Sequence, residues 1–435
     1  MLETLRNAWN VKEIRNKIIF TIFIILIFRI GSVIPVPYID VAALKAATSA
    51  TATDGVNQFF SYLSILTGGG LEYGAIFAMS VTPYINSSII VQLLCVAIPA
   101  LERLSKEGEE GQKKLAQITR YVTVLLALIQ GVAYFIYLKN GGGSVNSYLS
   151  VTGKGATVFA GFVIVLAFTA GSALVMWLGE QIDAKGIGNG ISMLLFAGIL
   201  SRAPQAFTAL WTYFVEYKQY VAVIGIIVAF LFIIAFVVWM TGAERRIPIQ
   251  YAKRVVGNKM YGGQNTHIPI KVNMSGVMPI IFASSILMLP TMALGFMKDT
   301  TTSLYKFLSL FSVQGVFYAV IYFFLIIGFA YFYATIQFNP IEMSNNLRKN
   351  GGAIPGIRPG KPTSDFISKI LSRITLMGAI FLSVIAILPI IIGTVGKINI
   401  SLGGTSVLIM VGVALDTVRN LESQMMMRHY KGFLD

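Results

Sequence analysis

Reactive side chains are scarce along this chain. It holds two histidines, His267 and His429, and one cysteine, Cys95, which lies inside an apolar run. A zinc site or a histidine-activated nucleophile needs several such groups at fixed spacing, and no CxxC pair and no P-loop is present. One thiol forms no disulfide within the chain. Chemistry inside a membrane would put ionisable groups near the midplane, at a cost of about 2.5–3.5 kcal/mol or more for each. The apolar runs carry almost none. Arg29 sits in the outer part of the first run, within snorkelling reach of the interface, and Asp416 lies near the end of the last. This leaves no proton relay, coupling carboxylate or catalytic dyad. Neither an enzyme nor a metal nor a cofactor is expected.

What the runs do contain is polar but neutral. Residues 77–94 read FAMSVTPYINSSIIVQLL, and residues 276–290 read GVMPIIFASSILMLP. Pro83, Pro279 and Pro290 each lack a backbone donor and loosen a helix. Asn86, Ser87, Ser88 and Gln92 in the first run, and Ser284 and Ser285 in the second, need partners away from lipid. Two readings stay open. One is kinked helices sealed by interhelical hydrogen bonds. The other is a wall between helices that opens.

The elements that must hold these groups follow from composition. Of 435 residues, 55% are apolar and 12% charged, about half the charge of a soluble domain. Ten apolar runs approach the ~20 residues that cross a hydrocarbon core: 18–34, 74–98, 121–138, 157–178, 187–203, 219–240, 276–296, 315–338, 370–393 and 403–418. The expected fold is an all-α integral membrane protein. The first run has no small-residue cleavage site after it, so it is expected to stay as a helix. Of 34 Lys and Arg residues, 25 fall on the side of the termini, 8 on the other, and Arg29 within a run. This split predicts cytoplasmic N- and C-termini and an even number of spans.

Two basic loops on that side are longer than a turn requires. Loop 241–275 carries Arg245, Arg246, Lys253 and Arg254, and loop 339–369 carries Arg358 among many Gly and Pro residues. Beyond anchoring topology, such loops suit an acidic protein or RNA phosphates. Residues 56–71, VNQFFSYLSILTGGGL, are apolar but too short to span. They read as a re-entrant helix or as a helix lying flat on the outer leaflet. Ten spans divide into halves 1–203 and 204–435, and five spans per half forces opposite orientations.

These features together resemble the SecY family of protein-export channels along essentially the whole chain. The resemblance rests on the 77–94 stretch, WLGEQIDAKGIGNGISMLLFAGI (177–199), ERRIPIQYAKR (244–254), THIPIKVNMSGVMPIIFASS (266–285), IPGIRPGKPT (354–363) and GGTSVLI (403–409). Asn86-Ser87 departs from the family pattern, which more often has a small hydroxyl residue followed by Ala. The resemblance implies two inverted five-helix halves around a central pore, with a plug helix at 56–68. It implies a pore ring of Val81, Ile85, Ile191, Leu195, Ile281 and Ile409. It implies a lateral gate between spans 2 and 3 and spans 7 and 8, where Asn86, Ser87, Ser88, Gln92, Ser284 and Ser285 would form a polar seam. Docking would fall on Arg245, Arg246, Lys253, Arg254 and Arg358. The implied partners are the small membrane subunits SecE and SecG, the motor ATPase SecA, a ribosome, a secretory polypeptide with its signal sequence, and lipid of the bacterial inner membrane. A secondary transporter shares inverted repeats and broken helices, but would need a midplane site that these runs lack.

Overall fold

A computed structural model describes residues 9–49, 68–139, 148–151, 153–215, 220–251, 254–256, 259–261, 266–274, 276–294, 303, 307–308, 316–396 and 404–431. The expected plug, 56–68, lies outside these residues except for Gly68, and so does Lys253. The helices are α1 (Lys12–Gly31), α2 (Val41–Ser49), α3 (Thr82–Ala97), α4 (Pro99–Lys106), α5 (Glu109–Lys139), α6 (Lys154–Lys185), α7 (Gly190–Leu200), α8 (Ala203–Val215), α9 (Tyr220–Gly242), α10 (Met278–Leu294), α11 (Val316–Gln337), α12 (Pro340–Lys349), α13 (Lys361–Gly396) and α14 (Gly404–Lys431). The strands are β1 (Glu244–Tyr251), β2 (Arg254–Val256), β3 (Lys259–Tyr261), β4 (Thr266–Lys271) and β5 (Gly352–Ala353).

A helix lies over each of the ten expected runs. Among the described residues, six helical stretches are long and apolar enough to cross a membrane, or seven if the bent pair α3–α4 is one span. The bend of 104° between α3 and α4 has a local cause. Ile98 precedes Pro99, whose ring disfavours helical backbone at the residue before it, and Ile98 takes φ −111°, ψ 113°.

The second run does not fold as a helix over 74–98. Residues 69–81 form a chain of turns, and α3 starts only at Thr82, with Pro83 in its first turn. Gly74 has φ 55° and Ser80 φ 48°, both outside helical backbone. The run is knitted to the end of α1 instead. Ile76 N–H donates to Ile34 O at 3.0 Å and Phe77 N–H to Gly31 O at 3.3 Å. Irregular backbone at membrane depth survives only inside protein, and Leu71, Ala75, Phe77, Ala78 and Val81 are buried.

The fold is also not wholly α. Loop 241–275 supplies β1 and β4 of an antiparallel sheet of order β4-β1-β5, whose β5 comes from loop 339–369, and also a small β2–β3 pair. The sequences RIPIQ and HIPIK alternate apolar and polar residues, the strand period. Ile247, Ile249 and Ile270 are buried and pack on Leu347, Ile354, Ile367 and Leu371. Prolines are tolerated here because Pro248 faces His267 of β4, whereas β5 pairs only with Gln250 and Tyr251. Each proline thus stands where its strand has a neighbour on one side only. This sheet joins the two basic loops into one body against α12 and the start of α13.

The helices pack as two groups. In the first, α3 lies on α5, α5 on α6, and α6 on α1 and α7; in the second, α9 lies on α14, α10 on α11, and α11 on α13. Among the described residues the groups meet through α7 against α14 and a slighter contact between α3 and α10, and Lys17 of α1 donates to Gln424 of α14 at 3.2 Å.

Candidate functional site

An apolar cluster lies where the two groups meet. All six residues of the expected ring belong to it, drawn from five places: Val81 before α3, Ile85 in α3, Ile191 and Leu195 in α7, Ile281 in α10 and Ile409 in α14. Val81, Leu195 and Ile409 are buried; Ile85, Ile191 and Ile281 are partly buried. The local folding that aims them is visible. Ile85 N–H donates to Val81 O at 3.0 Å, which puts these two side chains one helical turn apart. Ile191 and Leu195 are one turn apart on α7. That helix is started by Asn189, whose side chain accepts from Ser192 N–H at 3.0 Å, and by Asp183, whose carboxylate accepts from Gly190 N–H at 2.7 Å. Branched apolar side chains offer no hydrogen bonds to water or ions, so the cluster seals where it closes and yields without chemical preference where it is pushed apart.

Glycine lets α7 come close enough. A Cβ on Gly190 would stand 2.0 Å from the Gly179 carbonyl oxygen of α6, and one on Gly179 would stand 2.7 Å from Ile191 Cδ1.

The polar seam is arranged differently from expectation. Ser87 is fully buried and donates to Thr119 O of α5 at 2.7 Å, so it ties α3 to α5 and not to α10. Gln92 donates to Ser88 Oγ at 3.4 Å and Ser284 to Ile281 O at 2.9 Å, each within its own helix. Short polar side chains find such local acceptors without crossing a seam. Ser285 is partly buried on α10. Asn86 is the exception, because its Oδ1 is buried with no hydrogen-bond partner among the described residues.

The described residues among those expected to dock a partner sit on the sheet end. Arg245 and Arg246 are exposed on β1, Arg246 pairing with Glu244 at 2.7 Å. Arg254 starts β2. Arg358 is exposed on a loop of defined shape. Gly351, Gly356 and Gly360 take φ 68°, 78° and 106° there. Ser344 Oγ donates to Gly360 O at 2.7 Å, and Thr363 Oγ1 to Arg358 O at 2.8 Å.

Sequence reasoning missed one group at the opposite end. Arg29 does not simply snorkel: its Nη1 donates to Gly68 O at 2.8 Å. Arg202, buried at the end of α7, forms an ion pair with Glu72. The two partners are far apart in the sequence, and no spacing rule links them.

The family model named SecY matches residues 75–418. The protein translocase subunit SecY of Mycobacterium tuberculosis is 42% identical over 445 residues, covering all of both chains. That of Thermotoga maritima is 41% identical over 436 residues, covering all of this chain and 98% of its own. A solved structure described as a protein conducting channel aligns with a TM-score of 0.64 at 16% identity, covering 94% of this chain and 92% of that one. Sec61 in a canine ribosome-channel complex from the endoplasmic reticulum aligns with a TM-score of 0.61, also at 16% identity, over the same shares.

Proposed function

Because the chain belongs to the SecY family, we propose that it forms the channel through which unfolded secretory polypeptides cross the bacterial cytoplasmic membrane, and from which signal and transmembrane helices pass sideways into lipid. The observation that carries this reading is the meeting of Val81, Ile85, Ile191, Leu195, Ile281 and Ile409 in one apolar cluster between two helix groups. In this reading ten spans form two inverted halves, 1–203 and 204–435, with both termini cytoplasmic and 56–68 as the plug.

The mechanism follows from the packing. At rest the ring side chains touch, and an apolar constriction without charge excludes ions. A polypeptide parts the ring by separating α3 from α10, a slighter contact than α7 against α14. The α7–α14 contact acts as the hinge. The same opening exposes the seam of Asn86, Ser88, Gln92, Ser284 and Ser285 to lipid, while Ser87 stays bonded to α5. An apolar signal helix partitions there, since hydrogen bonds between membrane helices are worth only about 0.6 kcal/mol each. The chain is a conduit and not an enzyme, so energy comes from a partner. Arg245, Arg246, Lys253, Arg254 and Arg358 would dock the motor SecA or a ribosome. SecE and SecG would complete the complex in the membrane. The ribosome-bound channels among the structural relatives support the ribosome as one such partner.

The test is crosslinking. Single cysteines at Ile85 and Ile281, in a variant lacking Cys95, are probed against a stalled secretory chain that carries one cysteine. Crosslinks from both positions to that chain are expected. An engaged chain that labels neither position would sink the assigned path.

A further inference from the structure

Val81 reaches the ring at the end of a run that is not helical. Residues 69–81 have no continuous ladder of their own, so their position is set by what holds them. Between Gly68 and Tyr73, five ties bind the run to other elements, one of them Ser201 Oγ donating to Gly68 O at 3.3 Å. Arg29 of α1 donates to Gly68 O at 2.8 Å. Tyr134 of α5 donates to Leu71 O at 2.9 Å. Lys45 of α2 stands 3.9 Å over the Tyr73 ring. Glu72 pairs with Arg202, two residues past the end of α7 with its Ile191 and Leu195. That pair is deeply placed: the Arg202 side chain is 7% exposed and that of Glu72 21%. With Arg202 buried and Glu72 partly buried, the pair is less screened than a surface pair, and Arg202 does not leave its partner cheaply. Backbone geometry allows no slack beside it. Gly68 takes φ 66°, and a Cβ there would stand 2.8 Å from Gly198 O of α7.

We infer that Glu72 and Arg202, with Arg29 on the Gly68 carbonyl, are positioning residues for the ring: they lock the run that delivers Val81 to the helix that delivers Ile191 and Leu195, and so set the resting width of the constriction from the end opposite the sheet. This rests on the channel reading above. The lock is a charge pair across two elements that both contribute to the ring, so loosening it widens the ring without removing any ring side chain.

The experiment uses the whole translocon, isolated with its membrane partners and reconstituted into vesicles. It compares the unaltered chain with Glu72→Gln, with Glu72→Gln/Arg202→Gln, and with the exchanged pair Glu72→Arg/Arg202→Glu. Two quantities are read: resting ion conductance, and export of a cargo with its signal sequence against the same cargo without it. Glu72→Gln is expected to raise resting conductance by about tenfold, a typical size for a coupling between sites. Export without a signal should rise while normal export is kept, and the exchanged pair should return both towards the unaltered values. A merely structural role would lower accumulation and depress both cargoes alike. If Glu72→Gln does not accumulate, the doubly neutral variant carries the test, since it leaves no lone buried charge. Unchanged conductance and unchanged signal dependence in a well-accumulated variant overturn the inference, as does failure of both variants to accumulate. Crosslinking through Ile85→Cys in the same vesicles separates the two ideas. Crosslinks with unchanged conductance reject only the lock, whereas no crosslink in the otherwise unaltered chain rejects the channel path itself.

Discussion

A single side chain shows how the seam differs from ordinary helix packing. Asn86 Oδ1 is buried without a partner, whereas its neighbours Ser87 and Ser88 are satisfied within the first helix group. An unmet buried acceptor costs about 1–3 kcal/mol, and α3 carries that penalty at Asn86. Replacing it by an apolar group of similar size should therefore tighten the seam. Asn86→Leu is expected to slow export of cargo with weakly apolar signal sequences several-fold, while strongly apolar signals are little affected. Export rates for a graded series of signals check this, and equal rates across the series would remove Asn86 from signal selection. The Ser87 hydroxyl belongs to another task. Ser87→Ala orphans no donor, because it removes the O–H itself and the Thr119 carbonyl keeps a helical environment. It should weaken α3–α5 packing by about 0.6 kcal/mol, the average for membrane hydrogen bonds, with signal selectivity unchanged. A shift in selectivity from that variant would mean the hydroxyl acts at the seam after all.

At the scale of elements, the close approach of α6 and α7 holds two of the five helical ring residues, Ile191 and Leu195, in place. The Gly190 position has no room for a side chain, because the atom in the way is backbone and cannot rotate aside. Gly190→Ala should push α7 from α6 at a cost of about 1–3 kcal/mol, in the range of other overpacking changes. Ile191 and Leu195 would move with the helix. Lowered thermal stability of the purified complex together with raised resting ion leak is the expected pair of results. An unchanged melting temperature would show that α7 shifts freely, and the ring would then owe its position to something else. The sheet makes a parallel case at the other end, where β5 pairs with β1 and α12 packs on it, joining the two basic loops.

For the whole molecule, net charge and its placement matter more than any one bond. The formal charge is +15, and Arg245, Arg246 and Arg358 are exposed at the sheet end. Arg358 stands on a loop whose shape is held by Ser344 and Thr363, so reversing its charge alters the docking surface and not the fold. Arg358→Glu should block motor-driven export while leaving the melting temperature of the complex within experimental error. Export at the unaltered rate would take Arg358 out of docking. Because exposed charges are screened beyond a Debye length of about 8 Å at physiological salt, motor binding should also weaken as salt is raised.

Much of this was legible in the residues alone, because membrane folding leaves few choices. Apolar runs of spanning length become helices, since lipid satisfies no backbone group, and a helix stands over every run that hydropathy picked out. The ring residues were another matter. An Ile in an apolar helix has many uses, and only the family resemblance singled these six out before the structure brought them together. The alternation of RIPIQ and HIPIK was a readable strand signal, hidden by its prolines. Three things depended on tertiary structure. The first part of the second run abandons helix because Gly74 and Ser80 take left-handed backbone and α1 supplies the missing acceptors. Ser87 turns to α5 because that is where a carbonyl lies within reach. Glu72 meets Arg202 because the fold carries both to one end of the bundle, and charge pairing at long sequence separation leaves no periodic trace for a reader of the chain to find.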